Sequence, residues 1–276
     1  MMHIAVVALV FQFGRVLFRS NAAGWLGALI FSLHPAVLRS MTGPAGSGDI
    51  MMTMWFLMAM LTLFAGWRRQ RQYLIAFSLF FYLLALFSKE MAAALWPLFF
   101  LAPLLMFENE GSLRHRAAAV VRKVWLFPVL AAVYFLVRLI ILKGMGGYEI
   151  ETGGVVNLLA ALLDITTSFL RNLVSTGDIL FAESQKRYFS SRMATRIFFV
   201  SCFLVMVCSF SVYWHRRRLV PLIRRSLNAR AVVFLVIWIA IPLAVALATR
   251  TYSNYNGYFP AVAFSLIVAF SLVAGA

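Results

Sequence analysis

The chain has 276 residues, a mean hydropathy of +0.89 and charged side chains at only 12% of its positions. A soluble core of this size would need far more polar surface, so the composition excludes a soluble globular domain. The formal net charge is +16, but the basic residues occur in short runs between apolar segments. This distribution is typical of membrane topology signals and argues against a nucleic-acid partner.

Apolar segments follow one another along almost the whole chain. About 20 apolar residues cross a hydrocarbon core of roughly 30 Å, and several of the segments have only 16 or 17 residues and need flanking residues to cross. In chain order, the candidate spans are 2–18, 22–38, 50–67, 73–88, 91–106, 124–142, 197–214, 231–248 and 260–276. The sequence therefore predicts an all-α fold, a single integral membrane domain over 1–276 built as a transmembrane helical bundle of about nine spans.

Three basic clusters, within 67–71, 114–123 and 215–225, predict the orientation of these spans. Lys and Arg are enriched in cytoplasmic loops, so we expect all three clusters inside, including a basic loop over 107–123. The turn at Lys89-Glu90 and the segment 143–196 then lie outside. In a bacterium, this arrangement corresponds to the inner membrane, with the outer side of the protein facing the periplasm.

The external segment 143–196 contains a less hydrophobic helical stretch at 155–175. Leu159 and Leu163 lie on its apolar face, whereas Asp164 and Arg171 lie on the other. Such a helix lies along an interface more readily than it spans. We therefore expect an amphipathic interfacial helix on the outer side.

The first residues, Met1-Met2-His3-Ile4, enter an apolar segment without the basic leader of a signal peptide. The predicted topology also starts the chain on the outside. We therefore expect that a span precedes Met1 and that this chain is a fragment.

The predicted topology brings acidic, basic and aromatic side chains together at the outer edge of the membrane. Because placing a charge in hydrocarbon costs free energy, such charges usually face the interior of a helix bundle or a water-filled cavity. Simple structural roles remain open for each. His34 can end a helix before a proline, Asp49 can cap a helix that starts at Ile50, Lys89 and Glu90 can neutralise each other, and Arg138 can snorkel to the headgroups. The candidate site residues are His34, Arg39, Asp49, Lys89, Glu90, Arg138, Arg250, Tyr252 and Tyr258.

Three stretches in order resemble segments of one enzyme family, the polytopic glycosyltransferases of superfamily C, in particular the relatives of the TMTC, PMT and RgtA-like transferases. They are ALIFSLHPAVLRSMTGPAGSGDIMMTMWFLMAM, LFSKEMAAALWPLFFLAPLL and RTYSNYNGYFPAVAFSLIVA. Ser47 stands where the family usually has an arginine. The family's acidic first external loop would lie upstream of Met1.

The resemblance implies transfer of a hexose such as mannose from a polyprenyl- or dolichyl-phosphate donor to a protein or glycan acceptor at the external face. It implies catalytic roles for Glu90 and Asp49, with a divalent cation such as Mg²⁺ or Mn²⁺ as an optional cofactor. Lipid-phosphate or substrate binding falls to Lys89, Arg39, Arg138, His34, Arg250, Tyr252 and Tyr258. A transporter or flippase for a lipid-linked or anionic substrate, and a non-catalytic remnant of a split glycosyltransferase, are the alternatives.

Overall fold

The computed structural model describes residues 1–42, 46–107, 112–142, 166, 227–249 and 257–275. Within these ranges the regular structure is helical, with no strand, which confirms the all-α prediction. The helices are α1 (Met2–Phe18), α2 (Asn21–Leu33), α3 (Pro35–Thr42), α4 (Gly46–Arg69), α5 (Gln72–Ser88), α6 (Trp96–Met106), α7 (Leu113–Val124), α8 (Leu126–Leu142), α9 (Leu227–Thr249) and α10 (Tyr258–Gly275). A 3₁₀ helix, Glu90–Leu95, connects α5 to α6.

Two of the described helices are long and apolar enough to cross a membrane, α4 and the part of α9 from Asn228 to Ala246. A third span results if α7 and α8, which meet at an angle of 51°, count as one bent span. The remaining apolar helices are shorter, with 18 residues at most in α10, which at 1.5 Å per residue is about 27 Å. The described residues thus indicate a membrane protein, but they do not confirm nine spans.

Three of the expected segments differ from the observed helices by more than a few residues at their ends. The segment 22–38 is broken at His34, whose backbone is extended (φ −67°, ψ 133°) because a following proline disfavours helix. The segment 91–106 begins as a 3₁₀ helix instead of an α-helix. The basic loop expected at 107–123 is wrong from Leu113 onwards, since Ser112 caps α7 by accepting a bond from the His115 N–H at 3.4 Å. The expected interfacial helix at 155–175 and span at 197–214 lie outside the described residues, apart from Thr166.

Aromatic side chains join the central helices. The Trp238 ring of α9 stacks on Phe259 of α10 with centroids 4.7 Å apart, and the edge of Phe56 from α4 contacts both rings. Phe99 of α6 packs edge-on to Phe56 and stacks at 4.3 Å on Phe127 of α8. Large rings bury much apolar surface and pack in defined geometries, so this cluster fixes α4, α6, α8, α9 and α10 relative to one another.

The helices α1 and α2 pack so closely that their contact needs a glycine. A Cβ added to Gly24 of α2 would lie 2.7 Å from the Phe11 carbonyl oxygen and 3.1 Å from the Arg15 nitrogen, both on the backbone of α1. Neither backbone atom can rotate away, so a side chain here would push the two helices apart.

We therefore expect Gly24→Val to lower the free energy of unfolding by about 1–3 kcal/mol. Ala22→Val is the matched control, because Ala22 lies on the same helix with its side chain exposed. Thermal unfolding in detergent would measure both changes. Equal melting temperatures for the two variants would contradict the close contact.

Because successive helices run in alternating directions, the bundle has two ends, and these differ in their charged side chains. α4 leads from Asp49, in its first turn, to Arg69 at its end; α5 returns to Ser88, and α6 again leads away. At one end, called here the site end, Asp49 meets Lys89. At the other, called the basic end, Lys123 of α7 donates to the side-chain oxygen of Gln70 at 2.6 Å.

Candidate functional site

A buried ion pair forms the centre of the site end. The Lys89 Nζ atom lies 2.6 Å from both carboxylate oxygens of Asp49. The Asp49 side chain is only 3% exposed and the Lys89 side chain 18%. Adjacency in the sequence did not indicate this pairing, because the two residues are 40 positions apart. Charges this far from water are stable only when closely paired, so each residue depends on the other.

Two glycines bring the carboxylate to the lysine. A Cβ on Gly46 would overlap the Ser40 carbonyl of α3, and one on Gly48 would lie 3.2 Å from the Ser88 carbonyl oxygen. The first turn of α4 can therefore approach the ends of both α3 and α5. Since α4 begins at Gly46, Asp49 lies inside its first turn. The interpretation of Asp49 as the cap of a helix starting at Ile50 is thus wrong, although a carboxylate in a first turn still favours the helix dipole.

The backbone at Lys89 is held on both sides. Its N–H donates to the Ala85 carbonyl at 3.1 Å, and its own carbonyl accepts from the Ala92 N–H at 3.1 Å. The hydroxyl of buried Tyr82 donates to the Ala92 carbonyl at 3.1 Å. These bonds stop α5 and start the 3₁₀ helix, so Lys89 and Glu90 leave a rigid corner in two directions.

Glu90 belongs to a second, looser ion pair. Its Oε2 atom lies 3.7 Å from Arg138 Nη2 on α8, and the side chains are 35% and 25% exposed. The Tyr134 hydroxyl, one turn earlier on α8, accepts a long bond from Arg138 at 3.5 Å. A partly exposed pair at this distance contributes at most about 1 kcal/mol. Both groups can therefore exchange this contact for a ligand at little cost.

His34 and Tyr258 are buried and have structural partners. His34 lies between α2 and α3, where its Nδ1 accepts from the Ala36 N–H at 3.2 Å and helps to start α3. The Tyr258 hydroxyl is 2.9 Å from Nδ1 of His3, and its ring packs edge-on to Phe31. These contacts favour the helix-end interpretation of His34 and place Tyr258 in the core rather than in an exposed aromatic belt.

The other predicted site residues divide into two groups. Arg39 lies on α3, which precedes the first turn of α4. Arg250 and Tyr252 lie outside the described residues. Sequence reasoning missed His3 and Tyr82, because an isolated histidine near the start of a chain and a tyrosine inside an apolar segment carry no local signal of their partners.

The site residues that the structure describes do not fit a divalent cation. Hard cations need several oxygen ligands, but both oxygens of Asp49 are occupied by Lys89. The described part of the chain contains no group of three or more His, Cys, Asp and Glu side chains that is able to hold a metal ion. We therefore assign no step to Mg²⁺ or Mn²⁺.

Comparison with known proteins adds no relative. No protein-family model, curated protein or solved structure matches the chain.

Proposed function

We propose that the chain is a membrane glycosyltransferase-like protein of the superfamily C type, which transfers a sugar from a polyprenyl-phosphate donor to an acceptor hydroxyl. The observation that carries the proposal is the pair of adjacent charges at one corner of the bundle. Lys89 is held by buried Asp49, while its neighbour Glu90 is partly exposed and lies 3.7 Å from Arg138. This corner combines Lys89, a cation held in place by Asp49, with Arg138, a cation in a weaker contact, and with the partly exposed carboxylate of Glu90.

Phosphate recognition falls to the two cations. The Arg138 guanidinium offers several donors to phosphate oxygens, and its 3.7 Å contact with Glu90 is weak enough to be exchanged. Lys89 adds a positive charge from the interior side. Asp49 is a positioning residue, because its two oxygens orient the Lys89 ammonium group rather than face a substrate.

Glu90 is the group best placed to serve as the general base. The acceptor hydroxyl attacks the anomeric carbon of the donor sugar, and its proton passes to the Glu90 carboxylate. The bond between that carbon and the phosphate oxygen breaks, and its electron pair leaves with the polyprenyl phosphate. Arg138 and Lys89 stabilise the added negative charge on this leaving group.

The surroundings suit a donor with an apolar tail. Phe87, two residues before Lys89, is exposed and its ring lies 6.4 Å from that of Tyr134. Exposed Leu136 and Val137 precede Arg138 on α8. A lipid tail can contact these side chains while its phosphate reaches Arg138. We place the site end in the periplasm of a bacterial inner membrane, and the acceptor is a protein or a glycan.

Purified protein in proteoliposomes tests this function. With a radiolabelled polyprenyl-phosphate hexose and a panel of peptide and glycan acceptors, we expect labelled product together with free polyprenyl phosphate. Arg138→Met should raise the KM for the donor by about 10- to 100-fold, because it removes charged hydrogen bonds to phosphate. Arg15→Met, at an exposed arginine of α1, should leave KM unchanged.

The outcomes separate the competing functions. Donor that moves across the bilayer without losing its sugar would instead support a flippase. Donor that binds but is neither moved nor consumed would support a non-catalytic protein. Either result would overturn the proposed transfer.

A further inference from the structure

The basic end carries a helix that is too charged to enter hydrocarbon. Five of the 12 residues of α7 are Arg, Lys or His, and each charge at mid-membrane is costly. α7 also bends away from α8 by 51° and so does not continue its direction. These two features favour a position for α7 outside the hydrocarbon, beside α8, over a place in one bent span with it.

Specific contacts fix the rotation of α7 about its axis. Arg116 donates to the Leu104 and Phe107 carbonyls at 2.7 and 3.1 Å, which satisfies free carbonyl groups at the end of α6. Lys123 donates to Gln70 and lies 4.8 Å from the ring centroid of Trp67. Both basic side chains thus serve the fold, and they determine which face of α7 is left outside.

The outward face combines positive charge with apolar side chains. Arg114, Ala118, Val121, Arg122 and Trp125 are all exposed, and their spacing puts them on one side of a helix. Arg114 and Arg122 make no hydrogen bond or ion pair with any other residue that the structure describes.

This face continues onto the neighbouring turn between α4 and α5. The contact of Lys123 with Gln70 joins the two. Exposed residues of that turn add to the surface, which is called here the basic shelf. Its members are Arg68, Arg69, Arg71, Tyr73, Arg114, Val121, Arg122 and Trp125.

Negative charge is missing from the described part of this end. The acidic residues within the described ranges are Asp49 and Glu90, and both lie at the site end. Within the described ranges, the charged side chains of the basic shelf are thus all positive, and positive charge attracts anions.

We infer that the basic shelf binds the headgroups of anionic phospholipids. The apolar side chains of the basic shelf favour a lipid over a polyanion without acyl chains. Trp125 ends α7, and exposed Leu126, Val129 and Val133 continue from it along α8, which provides an apolar path beside the arginines. A phosphodiester headgroup bound by Arg114 and Arg122 can thus keep its acyl chains against α8. Amphipathic helices with Lys or Arg on the polar face and Trp on the apolar face bind the membrane–water interface in this way.

A local probe tests the inference on the full chain. In a variant with Cys202→Ser, Cys208→Ser and Ala118→Cys, a bimane label on residue 118 reports from the outward face of α7. The labelled protein is placed in phosphatidylcholine nanodiscs that contain 5-doxyl phosphatidylglycerol or, in parallel, the same fraction of 5-doxyl phosphatidylcholine. We expect the anionic lipid to quench several-fold more strongly, and the preference to fall as NaCl rises from about 0.05 to 0.5 M.

Single substitutions locate the effect. Arg122→Gln should lower the preference about fivefold, the effect of one charge near a lipid surface. Arg114→Gln should do the same, and Arg15→Gln on α1 is the matched control that should leave it unchanged. Equal quenching by the two lipids, or a preference that survives both α7 substitutions, would overturn the inference. A result against lipid binding leaves the sugar-transfer proposal standing, because that assay reads the opposite end of the bundle.

Discussion

Lys89→Met is expected to lower the free energy of unfolding by about 3–5 kcal/mol, the cost of leaving one member of a buried ion pair without its partner. Asp49 is 3% exposed, and both of its oxygens lie 2.6 Å from the lysine nitrogen. Without the ammonium group, the carboxylate must be protonated or draw water into the helix contact. Chemical or thermal unfolding in detergent would measure the loss.

The double variant Lys89→Met with Asp49→Leu separates pairing from burial. Replacing a buried ion pair by apolar side chains of similar size is often neutral or stabilising, so the double variant should regain most of the stability of the wild type. It should nevertheless have no transfer activity, because the fixed cation is gone. A double variant as unstable as Lys89→Met would show that the pair contributes through something other than charge compensation.

Glu90→Gln is expected to lower kcat by about 10²- to 10⁴-fold, the usual contribution of a general base. The loss of the Arg138 contact should change stability little, because Glu90 is 35% exposed and this contact is 3.7 Å long. The measurement is initial-rate transfer in proteoliposomes beside a melting curve of the same preparation. A change in KM with kcat unchanged would instead make Glu90 a binding residue.

A matched comparison guards the assignment of the base. Asp49→Asn removes the other carboxylate at the corner but leaves an oxygen that accepts from Lys89. We expect it to reduce stability and to affect kcat less than Glu90→Gln does. The opposite order would move the role of base from Glu90 to Asp49.

The two substitutions at the corner therefore predict different kinds of loss. We expect Lys89 to matter mainly for stability, because its partner Asp49 is buried. In the proposed function, Glu90 matters mainly for the reaction, because its carboxylate is partly exposed. Lys89 and Glu90 are adjacent in the sequence but are expected to have different roles, because their side chains point to different partners, Asp49 and Arg138.

Much of the helical organisation follows from local sequence. The lengths of the apolar segments predict α1, α4, α5 and α8 to within a few residues of their observed bounds. A long apolar segment in hydrocarbon forms a helix because its backbone groups must bond to one another. The break at His34 follows from Pro35, whose ring restricts the residue before it. The helix α7 was missed because frequent basic residues suggested a loop, whereas the Ser112 cap and its buried valines, Val120 and Val124, stabilise a helix there.

By itself, the sequence determined that the chain is helical and suited to a membrane, and that its charges fall at segment ends, because hydropathy and charge act along the chain. Only the tertiary structure decided which charges meet. Lys89 pairs with Asp49 rather than acting with Glu90 alone, because Gly46 and Gly48 let α4 approach the corner. Contacts across 40 positions depend on how helices pack, and no local pattern carries that information.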